Sequence, residues 1–277
     1  MVANDVQDDR TQDDAISLIQ RAWRDYDVHY GAGFMSCTIY DTAWLSMVAK
    51  DVGGEKRWLF PQSFDHLIST QSDDGSWAAT NTPSQIDGIL STAASLLSLQ
   101  KHVREPLNTT AAALEGIEDR MRRGTVSLVS QLNSWDVAAT AHVAFEIIVP
   151  TLLRLLRDED STMVLGFAGE KILRQINSTK MSRFRPECLY SSRPSSALHS
   201  LEAFIGAVDF DKLAHHTVNG SMMGSPSSTA AYIMHVTEWD YEAEAYLRHV
   251  IQGSAGKGSG AVPSAFPSMF FEYSWVS

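Results

Sequence analysis

Apolar positions recur at helical spacing on both sides of a short polar segment, residues 71–77. Residues 61–68 before it predict a helix that begins with proline, which suits a first helical turn because proline has no N–H to leave unpaired. Residues 86–103 after it form a long, nearly uncharged apolar run. The Asp-Gly-Ser sequence inside the polar segment favours a tight turn, and Trp77 offers a large flat surface where two helices separate. The pattern predicts a helical hairpin with a fixed corner.

A weaker copy of this hairpin pattern lies later in the chain. Residues 209–216 predict a short helix, Asn-Gly-Ser at 219–221 predicts a turn, and residues 225–236 predict a second helix. Met222 stands near the place that Trp77 occupies in the first copy. Two helical hairpins of one design favour an array such as an α/α barrel. Two unrelated turns built from ordinary turn residues explain the pattern equally well.

Further helical patterns follow and strand patterns are nearly absent, so the predicted fold class is all-α. The additional helical segments are residues 13–26, 36–49, 106–132, 138–156, 195–204 and 241–251. We expect a break near Gly124 in the third of them and a kink or a new helix start at Pro150 in the fourth. Residues 51–56 and 253–260 predict loops, the second of them flexible because it is rich in glycine and serine.

Composition and charge narrow the classes of function. Of the 277 residues, 44% are hydrophobic and 20% are charged, which is typical of a globular chain. The net charge of −11 argues against binding to nucleic acid or to an anionic membrane surface. Cys37 and Cys188 are too few for a disulfide framework or a zinc site. Residues 1–12 are polar and acidic, so we expect a disordered N-terminus without a targeting peptide, no membrane span and a cytoplasmic location.

A series of motifs carries a resemblance to a known family. The motifs are residues 39–44 (IYDTAW), 60–64 (FPQSF), 71–77 (QSDDGSW), 145–153 (FEIIVPTLL), 198–202 (LHSLE), 225–230 (SPSSTA) and 262–267 (VPSAFP). In order and approximate spacing, from about Tyr40 to the C-terminus, they resemble class II diterpene cyclases of the copalyl diphosphate synthase type. The motifs differ in detail from the usual family sequences, and a transit peptide is not evident. In both respects the chain resembles fungal members of the family, which are often bifunctional.

The resemblance implies a pair of α/α barrels, called β and γ, with a cyclisation cavity between them, and in bifunctional members a class I α domain as well. The family reaction is an isomerisation: geranylgeranyl diphosphate is protonated, the carbocation cyclises, and loss of a proton gives a copalyl-type diphosphate. This chain would be the N-terminal γ-domain region. The implied segments are a disordered N-terminus (residues 1–12), the first helix of the β domain (13–35), the γ domain (36–260) and the start of a return into the β domain (261–277).

Protonation of an alkene needs a strong, buried carboxylic acid, which the family supplies as Asp-x-Asp-Asp on its β domain. The nearest run here, residues 158–161, reads Asp-Glu-Asp-Ser and is interpreted as a solvated linker. Asp73-Asp74 is interpreted as part of a turn rather than as a metal site. Under this mapping the acid lies on a β domain beyond Ser277, and we expect the chain alone not to cyclise the substrate.

The resemblance further implies that the γ side of the cavity receives the final proton through a water held by a histidine and an asparagine. His199 in the Leu-His-Ser-Leu-Glu motif matches the histidine. Ser264 stands where the family has asparagine, and its hydroxyl offers one donor where the amide offers two, which changes how a water is held. From the residues alone, His199 also fits a core histidine bonded to nearby backbone.

Cations for the diphosphate are expected in a basic stretch, residues 171–193, of this otherwise acidic chain. The family has a lysine upstream of the histidine motif, for which Lys180 is the nearest candidate, with Arg183 and Arg185 behind it. An ordinary solvated basic loop is an equal alternative. The resemblance also implies Mg²⁺, which family members hold partly through an acidic segment before the Phe-Glu motif. In this chain Asp136 is the one acidic residue of that segment.

Aromatic side chains would line the cavity and stabilise carbocations through their ring faces. Tyr40, Trp44, Phe266 and Phe270 are the candidates, although aromatic residues at helical spacing more often belong to a core. A second interpretation of the chain is a non-catalytic module that binds an isoprenoid or assembles with another cyclase subunit. A third is an unrelated α/α-barrel glycan enzyme, which would need a pair of facing carboxylates that the sequence does not show.

Overall fold

The fold is built almost entirely from helices, and the computed structural model describes residues 26–77 and 84–276, together with 12–14, 16–17, 19–20 and 24. The helices are α1 Ile39–Ser46, α2 Pro61–Thr70, α3 Gln85–Arg104, α4 Ala111–Leu114, α5 Ile117–Ser134, α6 Phe145–Glu159, α7 Glu170–Met181, α8 Pro226–His235, α9 Tyr241–Gly253 and α10 Met269–Val276. Short 3₁₀ helices lie between α7 and α8, at Pro186–Cys188, Ser196–Phe204, Phe210–Lys212 and Ala214–His216. The all-α prediction is confirmed.

The corner between α2 and α3 is held by its own polar groups. Asp74 Oδ1 accepts the backbone N–H of Ser76 at 2.9 Å, and Gly75 has a φ of 85°. A Cβ at Gly75 would lie 2.5 Å from the carbonyl oxygen of Arg123, so only glycine fits at this corner. The interpretation of Asp73-Asp74 as turn residues is confirmed.

Trp77 fills the space that this corner encloses. Its side chain is 1% exposed, and its indole Nε1–H donates to the carbonyl of Leu67 in α2 at 2.8 Å. Its backbone N–H donates to the Thr92 hydroxyl of α3 at 3.2 Å. Trp77 therefore connects both helices of the predicted hairpin, through its indole to α2 and through its backbone N–H to α3.

The central helix of the fold is α3, which packs against α1, α5 and α6. Its residues are buried on almost every side, which explains why the sequence shows a nearly uncharged run there. Buried polar groups within this packing form hydrogen bonds with one another. The Ser46 and Ser98 hydroxyls lie 2.7 Å apart, and His102 Nε2 lies 2.9 Å from the Ser46 carbonyl oxygen.

The expected helix break near Gly124 is corrected, and of the two alternatives at Pro150 the start of a new helix is excluded. The break in the region 106–132 falls at Gly116, which has a φ of 67° and separates α4 from α5. Gly124 lies inside α5, where a Cβ would approach Leu96 Cδ2 to 2.8 Å, so close packing and not a turn accounts for this glycine. Pro150 lies within α6 and does not begin a new helix.

Two of the predicted segments have a different secondary structure in the protein. Strands β2 (Ala49–Val52) and β3 (Glu55–Trp58) pair with each other, so residues 51–56 form a hairpin and not a loop. The predicted helix at 209–216 consists of short 3₁₀ pieces instead. The turn predicted at 219–221 joins β4 (Thr217–Val218) to β5 (Ser221–Met222), and α8 follows as expected.

Distant parts of the chain meet where β1 (Cys37–Thr38) pairs with β6 (Val262–Pro263). The Gly/Ser segment 253–260 before β6 is tied down, because the Ser63 hydroxyl donates to the Gly260 carbonyl at 2.7 Å. A Cβ at Gly260 would lie 2.3 Å from the Gln62 carbonyl oxygen. The predicted loop follows the end of α9, and at Gly260 the glycine permits close backbone packing, while the flexibility of the loop stays a prediction.

Three further predictions concern the ends of the chain and its surroundings. Apart from Gln12, the predicted disordered N-terminus lies outside the described residues. Within the part of the chain that the structure describes, no helix is long and apolar enough to cross a membrane. The proposed domain boundaries at 35/36 and 260/261 stay predictions.

Candidate functional site

His199 lies on an exposed edge formed by the 3₁₀ segment Ser196–Phe204. The segment is kinked at Ser200, whose φ of −133° and ψ of 46° interrupt the helix beside the histidine. Nδ1 of His199 lies 3.3 Å from the carbonyl oxygen of Met223. A carbonyl only accepts hydrogen bonds, so in the neutral ring Nδ1 carries the proton and Nε2 is the basic nitrogen.

The turn that contacts His199 also contacts the segment that contains Ser264. Met223 and Gly224 have positive φ values of 53° and 70°, and the Gly224 carbonyl accepts the backbone N–H of Phe266 at 2.8 Å. Ser264 follows β6 directly, and its hydroxyl lies 3.4 Å from Met35 Sδ. The turn at 223–224 therefore contacts both His199 and Phe266, which lies two residues after Ser264.

A buried carboxyl group lies three residues after His199. Glu202 is 2% exposed, and both of its oxygens accept hydrogen bonds. The Tyr40 hydroxyl donates to Oε1 at 2.9 Å, and the Ser228 hydroxyl donates to Oε2 at 3.0 Å. Burial raises the pKa of Glu202 from 4.5 to about 7, because the charged form loses its hydration.

A second buried carboxyl group, that of Asp41, lies close to the first. The Thr38 hydroxyl donates to its Oδ2 at 2.6 Å and the Ser227 backbone N–H to its Oδ1 at 3.3 Å. Burial again raises the pKa of this group, and the charge of Asp41 is among the causes that raise the pKa of Glu202. Both carboxyls are buried and hydrogen-bonded, so neither faces open space as a glycan-cleaving pair must.

Sequence reasoning missed these two residues, although both lie in motifs that it quoted. Asp41 is the aspartate of Ile-Tyr-Asp-Thr-Ala-Trp, and Glu202 ends Leu-His-Ser-Leu-Glu. A carboxylate inside an otherwise apolar motif could have indicated both residues, because a buried charged group needs hydrogen-bond or ionic partners.

The predicted diphosphate-binding cations are not brought to His199 by any contact among the described residues. Lys180 forms an ion pair with Glu146, which is 8% exposed, so part of its charge is already neutralised. Arg183 and Arg185 are exposed, and Arg185 donates to the carbonyl of Phe184 at 3.0 Å. These side chains serve local contacts here, and their role toward a diphosphate stays a prediction.

Asp136 has a local role in the structure. Its Oδ1 accepts the backbone N–H groups of Ala138 at 3.0 Å and Ala139 at 3.1 Å, which closes a turn. Among the residues that the structure describes, no three His, Cys, Asp or Glu side chains are grouped so that they could hold a metal ion. In the described part of the chain Asp136 therefore closes a turn, and its role in holding Mg²⁺ stays a prediction.

Of the predicted aromatic residues, Trp44 and Phe266 belong to the core and Tyr40 makes the polar contact with Glu202, while the side chain of Phe270 lies outside the described part of the structure. Phe266 is 0% exposed. Trp44 is 2% exposed and borders a cavity of about 310 Å³ whose apolar lining includes Leu97 and Ile233. His199 is not among the residues that line this cavity.

The sequence is closely similar to parts of longer fungal proteins. Phyllocladan-16-alpha-ol synthase of Phomopsis amygdali is 51% identical over 279 residues, which cover 100% of this chain and 27% of that protein. Copalyl diphosphate synthase of Talaromyces verruculosus is 49% identical over 264 residues, covering 95% of this chain and 27% of that protein. A scan against models of protein families finds no match.

The fold has a counterpart among solved structures. That of ent-copalyl diphosphate synthase from Arabidopsis thaliana, in complex with (S)-15-aza-14,15-dihydrogeranylgeranyl thiolodiphosphate, matches with a TM-score of 0.72 and 26% identity. The match covers 88% of this chain and 32% of that one. The helical architecture is therefore that of part of a class II cyclase. The chain belongs to the fungal diterpene synthases of the copalyl diphosphate synthase type and spans 27% of the length of the two fungal relatives.

Proposed function

We propose that this chain forms one side of a class II cyclisation chamber and supplies its deprotonation side. The reaction would convert geranylgeranyl diphosphate into a copalyl-type diphosphate. The observation that supports the proposal is the turn at 223–224, where the Met223 carbonyl lies 3.3 Å from Nδ1 of His199 and the Gly224 carbonyl accepts the N–H of Phe266, two residues after Ser264. Relatives that carry out diterpene synthesis support the reaction class.

The chemistry assigned to this edge is acceptance of the final proton. Nε2 of His199 is the basic nitrogen, because Nδ1 is directed at the Met223 carbonyl. A water between Nε2 and the Ser264 hydroxyl would take the proton from the cyclised cation and pass it to the imidazole. The protonating acid would come from a β domain on another part of the protein, and the class I α domain of bifunctional relatives would act on the product.

The diphosphate would be bound by the basic stretch that contains Lys180, Arg183 and Arg185. Lys180 forms an ion pair with Glu146 in the first turn of α6, and this contact fixes the position of its ammonium group. No step assigned to this chain passes through Mg²⁺, since the described residues do not group into a ligand set.

We expect the purified chain to give no cyclised product with geranylgeranyl diphosphate, because it lacks the Asp-x-Asp-Asp acid. In a longer form of the protein that carries this acid, His199→Ala should lower the rate of product formation by about 10²–10⁴-fold, the usual contribution of a general base. Gas chromatography of the dephosphorylated products measures both. A copalyl-type product from the chain alone, or an unchanged rate and product profile in the variant, would contradict the proposal.

A second candidate function is binding of an amphipathic anion without turnover, in the cavity of about 310 Å³. The cavity has an apolar floor, and Lys101 and Arg104 at its mouth both pair with Glu159, at 2.7 and 2.6 Å. Two cations on one carboxylate leave one positive charge in excess, which fits the anionic head of an isoprenoid phosphate. This favours the non-catalytic module.

The two candidates are separated by thermal stabilisation of the chain with geranylgeranyl diphosphate. Binding in this cavity should be lost in Leu97→Trp, which fills it, and weakened about tenfold in Arg104→Ala, which removes one charged contact. Arg122→Ala is the matched control, because Arg122 is an exposed arginine that pairs with Asp119 instead. Stabilisation that survives Leu97→Trp would exclude this cavity as the binding site.

A further inference from the structure

The segment that carries His199 is attached to two other helices through Glu202. We propose that Glu202 is a positioning residue for His199, holding the 3₁₀ segment Ser196–Phe204 against α1 and α8 through two hydroxyl donors. The proposal rests on the proposed function of His199 for its catalytic consequence, but the positioning itself is a structural property. Tyr40 of α1 and Ser228 of α8 are the two donors.

The kink at Ser200 explains why this attachment is needed. It interrupts the helical hydrogen bonds directly after His199, so the backbone on the C-terminal side needs other partners. The Leu201 backbone N–H donates to the Ser228 hydroxyl oxygen at 2.9 Å, and the same hydroxyl donates to Glu202 at 3.0 Å. The Ser228 hydroxyl therefore links the Leu201 backbone N–H, two residues after His199, to the Glu202 carboxylate through two consecutive hydrogen bonds.

The three attachment points come from separate parts of the chain. Tyr40 lies 162 residues before Glu202, and Ser228 lies 26 residues after it. A carboxylate is the one side chain that accepts from both hydroxyls with two oxygens in fixed directions. If the role were packing alone, an apolar side chain would fill the site without the cost of burying a charge. A buried carboxylate here is thus explained by orientation of the segment.

The charged and titratable groups around Glu202 belong to two elements. On α1 they are Tyr40, which donates to Glu202, and Asp41, whose charge opposes ionisation of Glu202. On the 3₁₀ segment the group is His199, which interacts electrostatically with Asp41. On α8 the contacts are neutral: the Ser228 hydroxyl and the Ser227 backbone N–H.

Histidine NMR of the chain tests the positioning without substrate or turnover. The chain has nine histidines, and His199→Gln assigns the signal of interest among the ¹³C-labelled rings. Tyr40→Phe and Ser228→Ala each remove one donor to Glu202 while keeping the size of the side chain nearly constant. Each should shift the His199 ring resonances or broaden them through exchange, because the segment samples more than one position.

Ser98→Ala is the matched control. It also removes one buried serine hydroxyl, but from the pair with Ser46 near His102. It should move the His102 signal and leave that of His199 in place. The proposal is overturned if Tyr40→Phe and Ser228→Ala both leave His199 unmoved, or if Ser98→Ala moves it as much.

Kinetics in a longer form that carries the acid separate this inference from the proposed function. Tyr40→Phe and Ser228→Ala should lower kcat by about 10–100-fold, as expected for misplacing a catalytic group, while KM changes little and Ser98→Ala changes neither. NMR shifts with unchanged kcat would overturn the catalytic role of His199 and leave its positioning by Glu202 supported. Unchanged NMR signals would overturn the positioning itself, whatever the kinetics.

Discussion

Replacing Trp77 with alanine is expected to lower the free energy of unfolding by about 3–5 kcal/mol, the range for a large buried aromatic residue. The indole is 1% exposed and bonds to the Leu67 carbonyl of α2. It also packs against α5, where its Cζ3 lies 3.0 Å from the position of a Cβ on Gly124. The substitution would leave a cavity between three helices and remove the indole hydrogen bond to the Leu67 carbonyl. Urea unfolding followed by circular dichroism measures the loss.

Trp239→Ala is the matched control for this prediction. Trp239 is only partly buried and its Nε1–H bonds to the Glu244 side chain, so its loss should cost clearly less. Trp77→Phe should fall between the two, because it keeps most of the buried ring and loses the hydrogen bond. Equal losses for Trp77→Ala and Trp239→Ala would contradict the central role of the corner.

Glu202 is expected to make the stability of the chain depend on pH. Its pKa is raised from 4.5 to about 7 in the folded state, so the folded chain binds the proton more tightly than the unfolded chain between these values. The contribution is therefore fully present below the unfolded pKa and is lost as the pH rises through about 7. A shift of this size corresponds to about 3 kcal/mol.

Glu202→Gln isolates this contribution from other titrating groups. The difference in unfolding free energy, native chain minus variant, should fall by about 3 kcal/mol between about pH 5 and about pH 8. Tyr40→Phe should move the fall toward higher pH, because the Tyr40 hydroxyl lowers the pKa of Glu202 by bonding to its charged form. A difference that stays constant with pH would show that Glu202 titrates normally.

The candidate site could be predicted from sequence only as far as its motifs reach. Leu-His-Ser-Leu-Glu singled out His199, and the Val-Pro motif singled out Ser264. Neither motif predicts that the turn at 223–224 contacts both segments. These contacts depend on the left-handed backbone at Met223 and Gly224. The ion pair between Lys180 and Glu146 could not be predicted from the sequence either, because it joins two different helices.

What the sequence by itself determined is local: the start of α2 at Pro61, the tight turn at Gly75 and the length of α3. These features depend on backbone restrictions and periodicity within a few residues. Only the tertiary structure decided that Tyr40, Glu202 and Ser228 meet, and that β1 pairs with β6. These contacts join residues far apart in sequence, and burial changes the charge state of a carboxyl only once the surrounding helices have packed around it.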